Sequence, residues 1–193
     1  YDAIHGDNED IIIPSKEEML KEFEDKHRAY NFSSGKSEIP RGMKDIEKLY
    51  KAHIRSKNFG DIQLIDPKDL PEMDLYTYSF PCKNISVAGQ MAGLEKGSGT
   101  QSSLVWESLR IIEYHKPKYL LMENVKNLVS DKFMPYFKMI CEELEKLGYN
   151  NYWSVLNGKD FDVPQNRERV MMLSIRKDVD KGVFGMPIGV PTT

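Results

Sequence analysis

Lys118-Tyr119-Leu120-Leu121-Met122-Glu123-Asn124-Val125 is a short apolar run that closes on two polar groups. A continuous apolar segment of this length is the pattern of a strand buried on both faces, as in a parallel sheet. Working outward, residues 102–115 have helical spacing, with Leu104, Val105, Leu109 and Ile112 to bury. Before them, Leu75-Tyr76-Thr77-Tyr78-Ser79-Phe80 is a strand rich in aromatic residues, followed by a loop carrying Gly89, Gly93, Gly97 and Gly99. Downstream, a helix over about 134–147 stops at Gly148, and Tyr152–Leu156 and Arg169–Ile175 supply two further strands. Strand, helix, strand, helix, strand predicts an α/β sheet with helices on its faces.

The N-terminal third has a different texture. Ile11-Ile12-Ile13 is a short β-like run, and Ser15 followed by Glu18 is a capping box opening a charged helix through about Ala29. Residues 31–42 have the composition of an exposed loop. A second helix places Ile46, Leu49, Tyr50, His53 and Ile54 on one face. The expected organisation is an N-terminal part, 1–58, with a helical insertion over about 15–58, then a core over 59–178, then a linking segment, 179–193.

Over 193 residues, 40 % hydrophobic and 30 % charged residues are enough for a real core, which excludes collagen-like, disordered and disulfide-scaffold classes. No apolar run approaches the roughly 18 residues of a membrane span, so no membrane partner is expected. The two cysteines, Cys82 and Cys141, suit a reducing compartment, and the four histidines lack metal-ligand spacing, so no metal is expected. The net charge is −3, but 17 acids and 12 bases fall in residues 1–75, leaving 13 and 15 in the remainder. The second part is therefore the better match for a polyanion.

In open α/β sheets, ligands bind beyond the carboxyl ends of the strands. Pro81-Cys82 follows the first strand there, Glu123-Asn124-Val125 the second, and Gln165-Asn166-Arg167-Glu168-Arg169 lies near the last. A thiol, a carboxylate and two guanidinium groups on one rim form a coherent site. Taken singly, each has a plainer reading: a packed thiol, a strand-end ion pair, solvated arginines. Cys141 keeps that plainer reading, because Phe133, Phe137, Ile140, Leu144 and Leu147 share its helical face.

In their order along the chain, Phe80-Pro81-Cys82, Ser86, Gly89, Glu123-Asn124-Val125 and Gln165-x-Arg167-x-Arg169-Val170 resemble the motifs of the cytosine-C5 methyltransferases of bacteria and phage. The resemblance covers about residues 58–178. It includes Gly60-Asp61-Ile62, which is similar to the family's adenosine-contacting turn, and Ser103-Leu104-Val105-Trp106-Glu107, similar to the helix after its catalytic loop. It implies a Rossmann-like S-adenosylmethionine-dependent methyltransferase sheet with helices on both faces, incomplete at both ends. It also implies S-adenosylmethionine as cofactor and a cytosine flipped out of duplex DNA as substrate. Cys82 matches the nucleophile, Glu123 the acid holding the base, and Arg167 the side chain reaching its O2, with Arg169 in support. Asp61, Ile62, Pro81 and Leu104 match cofactor-pocket positions; Lys83, Ser86, Asn124 and Gln165 match substrate-binding positions. Lys83 and Asn84 stand where the family usually has glutamine and an acidic or small residue. The family's cofactor-cradling first loop and its target-recognition region have no counterpart in these 193 residues. A prokaryotic cytoplasmic setting, nucleoid-associated or phage-encoded, with a cognate restriction endonuclease, goes with the resemblance.

Three other functions compete. A transfer-RNA cytosine methyltransferase shares these motifs, and a catalytically silent binding fragment would fit the acidic first part and Lys83. A nucleotide-binding redox domain lacks its Gly-x-Gly-x-x-Gly loop here. If half of the cofactor pocket lies outside this stretch, calorimetry of the 193 residues alone should show only weak S-adenosylmethionine binding; tight binding would contradict the expectation.

Overall fold

The computed structural model describes residues 11–31, 34–81 and 104–190. The chain divides into two compact units, one up to Asp66 and one from Pro67 onward.

In the first unit, helix α1 (Lys16–Asp25) opens on the capping box that the sequence predicts: Ser15 Oγ accepts from the Glu18 N–H, and the Glu18 carboxylate accepts from the Ser15 N–H at 2.8 Å. It ends four residues short of the expected Ala29, because the chain turns at His27, at φ +48°, and the freed Lys26 carbonyl accepts from the Asp61 N–H at 2.9 Å. Gly60 makes that approach possible. A side chain there would place its Cβ 2.0 Å from the Lys26 oxygen, and its φ of +88° favours glycine as well. Residues 31–42, expected as a plain loop, include a two-residue ladder between β1 (Tyr30–Asn31) and β2 (Lys36–Ser37). Ile11–Ile13 form no strand. Helix α2 (Met43–Arg55) packs Ile46 against Met19 and Phe23, with Leu49 and Tyr50 alongside. Ile54, expected on that face, is exposed.

The second unit is a mixed sheet of order β3-β4-β6-β5 among the described residues. β3 (Leu75–Tyr78) runs parallel to β4 (Tyr119–Val125), and helix α3 (Leu104–His115) lies between them in the chain. Helix α4 (Met134–Lys146) connects β4 to β5 (Tyr149–Asn157), and β6 (Glu168–Arg176) lies antiparallel to both β4 and β5. β5 starts three residues before the expected Tyr152, since Gly148, at φ +98°, turns the chain out of α4 directly into the sheet.

The strand registers define two sheet faces. Tyr78, Leu120, Met122, Val170 and Met172 occupy one face and form a single buried cluster with Val105, Leu109 and Ile112 of α3 and Phe137, Ile140 and Leu144 of α4. Both helices therefore cover the same face. The other face, with Leu121, Glu123, Met171 and Leu173, is only half-buried, so the second helical layer implied by the resemblance is not found among the described residues. Cys141 packs its sulfur 3.7 Å from the Met172 sulfur, and burial pushes its thiol up to about 11, consistent with the inert reading.

Two buried tyrosines in this cluster are treated differently. Tyr149 donates its hydroxyl to the Pro117 carbonyl at 2.7 Å, whereas the Tyr78 hydroxyl is buried with no hydrogen-bond partner among the described residues. An unpartnered buried hydroxyl costs about 1–3 kcal/mol. Tyr78→Phe should therefore raise the unfolding free energy in urea, and Tyr149→Phe should lower it by a similar amount. Equal effects of one sign would refute this account.

Candidate active site

The polar rim forms where β4 ends, because β6 runs the other way. Antiparallel pairing puts the amino end of β6 beside the carboxyl end of β4, with Val125 opposite Arg169 and Glu123 opposite Met171. Glu123 and Arg169 share one face, and Arg169 Nε donates to Glu123 Oε1 at 2.7 Å. Ser79, just past β3, donates to the other carboxylate oxygen at 3.3 Å. Each oxygen of Glu123 thus has a protein donor, and the carboxylate is held in one orientation. The pair is partly solvated, so its worth lies in geometry more than in stability. Beside it, Lys126 Nζ donates to Glu168 Oε1 at 2.9 Å, and Arg169 Nη1 donates to the Glu168 carbonyl at 2.7 Å.

Asn124 points to the opposite face and is buried. Its Nδ2 donates to the Phe80 carbonyl at 3.0 Å and its Oδ1 accepts from the Val125 N–H at 2.9 Å. The side chain that the resemblance assigned to substrate contact is engaged in tying the end of the Phe80-Pro81 stretch to β4. Arg167 and Gln165 are exposed on the connection before β6, where Gln165 N–H donates to the Val163 carbonyl at 2.6 Å. Leu104 opens α3 half-buried, and Pro81 is exposed. Cys82, Lys83 and Ser86 lie outside the described residues. Sequence reasoning missed Ser79 and Asn157, whose only signal was their place at strand ends.

Asp61 and Ile62 belong to the first unit. Asp61 caps the short turn Ile62–Leu64, accepting from the Gln63 N–H at 3.0 Å, and its other oxygen sits 3.2 Å from His27 Nδ1. Both Asp61 oxygens are thus engaged within the first unit, and Ile62 beside it is half-buried. Among the described residues no group of acids, histidines and cysteines could hold a metal ion, and no helix is long and apolar enough to cross a membrane.

The fold is that of an α/β protein of the Rossmann-like class. A DNMT2 variant from Spodoptera frugiperda has the same fold, with a TM-score of 0.53 at 18 % identity over 77 % of this chain and 44 % of that one. Residues 36–189 match the family model described as C-5 cytosine-specific DNA methylase, and the chain belongs to that family. It is 56 % identical over 134 residues to type II methyltransferase M2.ScrFI of Lactococcus lactis subsp. cremoris, covering 69 % of this chain and 37 % of the relative. It is 36 % identical over 190 residues to the orphan methyltransferase M.SssI of Spiroplasma monobiae, covering 90 % of this chain and 48 % of the relative. The chain thus spans less than half the length of these relatives.

Removing the Asn124 amide leaves the Phe80 carbonyl and the Val125 N–H without their side-chain partner. Asn124→Ala is expected to lower the unfolding free energy by roughly 2 kcal/mol. Asn124→Asp, which keeps the acceptor but has no donor for Phe80, should not restore it. Urea denaturation of the three proteins measures both effects.

Proposed function

We propose that this chain carries the cytosine-reacting part of a DNA methyltransferase acting at carbon 5 of a base flipped out of duplex DNA. The observation that carries the reading is the Glu123 carboxylate, fixed by Arg169 and by Ser79, which stands three residues before Cys82 in the sequence. Carbon 5 of cytosine is a poor nucleophile. Addition of the Cys82 thiolate to carbon 6 makes the ring an enamine in which carbon 5 becomes nucleophilic. Glu123, holding the proton at N3 and accepting from the exocyclic amine, offsets the charge that this addition places on the ring. Arg167 reaches the base O2, and Arg169 keeps the Glu123 carboxylate in place. Loss of the carbon 5 proton then lets the C–S bond break, with its electrons returning to sulfur as the 5,6 double bond reforms. S-adenosylmethionine, when bound, supplies the electrophilic methyl group. By the resemblance, Asp61 and Ile62 match adenine-contacting positions, and Pro81 and Leu104 match positions near the methionine end. Lys83 and Ser86 would contact the DNA backbone, and Gln165 would border the base.

The type II designation of relatives supports DNA as the polymer, a prokaryotic cytoplasmic setting and a cognate restriction endonuclease as companion. Another relative carries the designation orphan methyltransferase.

The test is methyl transfer from labelled S-adenosylmethionine by the full-length parent, offered duplex DNA and transfer RNA separately. Label is expected as 5-methylcytosine in DNA, and Cys82→Ala should abolish it while the melting temperature is kept. Label only in transfer RNA would reassign the substrate. No label in either, from folded full-length protein, would overturn the enzymatic reading.

A further inference from the structure

We propose that Asn157 is a positioning residue that fixes Arg167, and through it the start of β6, at the reactive rim; this rests on the methyltransferase reading above. Asn157 is the last residue of β5 and pairs with Glu168, the first residue of β6. Its Oδ1 accepts from the Arg167 N–H at 3.0 Å and from the Lys159 N–H at 3.4 Å, while its Nδ2 donates to Asn166 Oδ1 at 2.8 Å. The next residue, Gly158, donates its N–H to the Arg167 carbonyl at 3.2 Å. Both backbone polar groups of Arg167 are therefore bonded to the Asn157-Gly158 pair.

The bond to Lys159 is the ordinary cap of the short turn Gly158–Phe161. The bonds to Arg167 and Asn166 go beyond capping, since they reach across the connection to the far end of the turn. That connection includes Asp162 at φ +59° and the tight Gln165-to-Val163 bond, so its path is irregular. The ladder begins only at Glu168. The Asn157 side chain thus extends the β5–β6 pairing by one residue, to a position two before Arg169, which grips Glu123. Asparagine suits the task because one planar group accepts two N–H bonds and donates a third. Aspartate keeps the acceptor and loses the donor, and alanine loses both.

The bonds are partly solvated, so their loss should cost little stability and act on geometry. A displacement of about 1 Å in a positioned group can cost about 10²-fold in rate. In the full-length parent, Asn157→Ala is expected to lower kcat for DNA methylation by about that factor, with KM for S-adenosylmethionine and the melting temperature near wild type. Asn157→Asp should restore most of kcat, since Arg167 keeps its acceptor, and Asn166→Ala should retain nearly all of it. Independently of turnover, exchange of the Arg167 amide, read by mass spectrometry with electron-transfer fragmentation, should accelerate about tenfold in Asn157→Ala but not in Asn157→Asp. The Met172 amide should be unchanged. An unaltered kcat, equal losses in the Ala and Asp variants, or an Arg167 amide no faster than wild type would overturn the proposal. If the folded wild-type parent makes no 5-methylcytosine, the methyltransferase reading falls, and amide exchange alone decides whether Asn157 positions Arg167.

Discussion

The site depends on the direction of one strand. β6 lies between β4 and β5 and runs against both, so its first residues arrive where β4 ends. A parallel β6 would carry Arg169 to the opposite edge of the sheet from Glu123. Register matters as much as direction, because side chains alternate along a strand with period two. A slip of one residue would turn Arg169 onto the helix-covered face and Val170 onto the rim. The slip is resisted by the core itself, since Val170 and Met172 fill the cluster beneath α3 and α4 and would be displaced from it. Hydrophobic burial on one face of β6 thereby sets the ionic geometry on the other.

Asparagines join the pieces that the ladder does not. Asn124 ties Phe80 to β4, Asn157 ties Arg167 to β5, and Asn151 ties α4 to the sheet, donating to the Cys141 carbonyl at 3.0 Å and accepting from Ser174 at 2.6 Å. An amide donates and accepts from one short rigid group, so it can bridge two backbone segments and carries no charge into a half-buried place. The Asn124 and Asn157 ties stand at the rim, where the chain leaves regular structure and the ladder no longer satisfies backbone groups, whereas Asn151 lies toward the other end of β5. The half-buried second face fits the same picture. Apolar Leu121, Met171 and Leu173 share it with Glu123 and Arg169, so the site stands at the edge of a sheet surface that the described residues leave partly open.

Local signals read well wherever one residue type does one thing. The Ser15–Glu18 capping box, the Gly148 stop and the helical spacing of Phe137, Ile140 and Leu144 each express a short-range rule. The failures share a cause. The early end of α1 depends on Lys26 meeting Asp61, 35 residues later in the chain, and the exposure of Ile54 depends on what α2 packs against. Neither partner can be seen from the segment itself. At the site, the order of Cys82, Glu123, Arg167 and Arg169 was legible as a family motif. That Arg169 holds Glu123 while Arg167 is held by Asn157 was not, since both arginines stand in the same short motif.

The sequence alone therefore determined the main helices and the strands of the second unit, most of the apolar set that forms the core and the inventory of reactive groups, because these follow from local propensity, periodicity and side-chain chemistry. Only the tertiary structure decided that β6 reverses, that both helices cover one face and that Asn124 and Asn157 act as ties. Each of these depends on which distant strand a segment pairs with, and pairing is settled by the burial of the whole cluster at once.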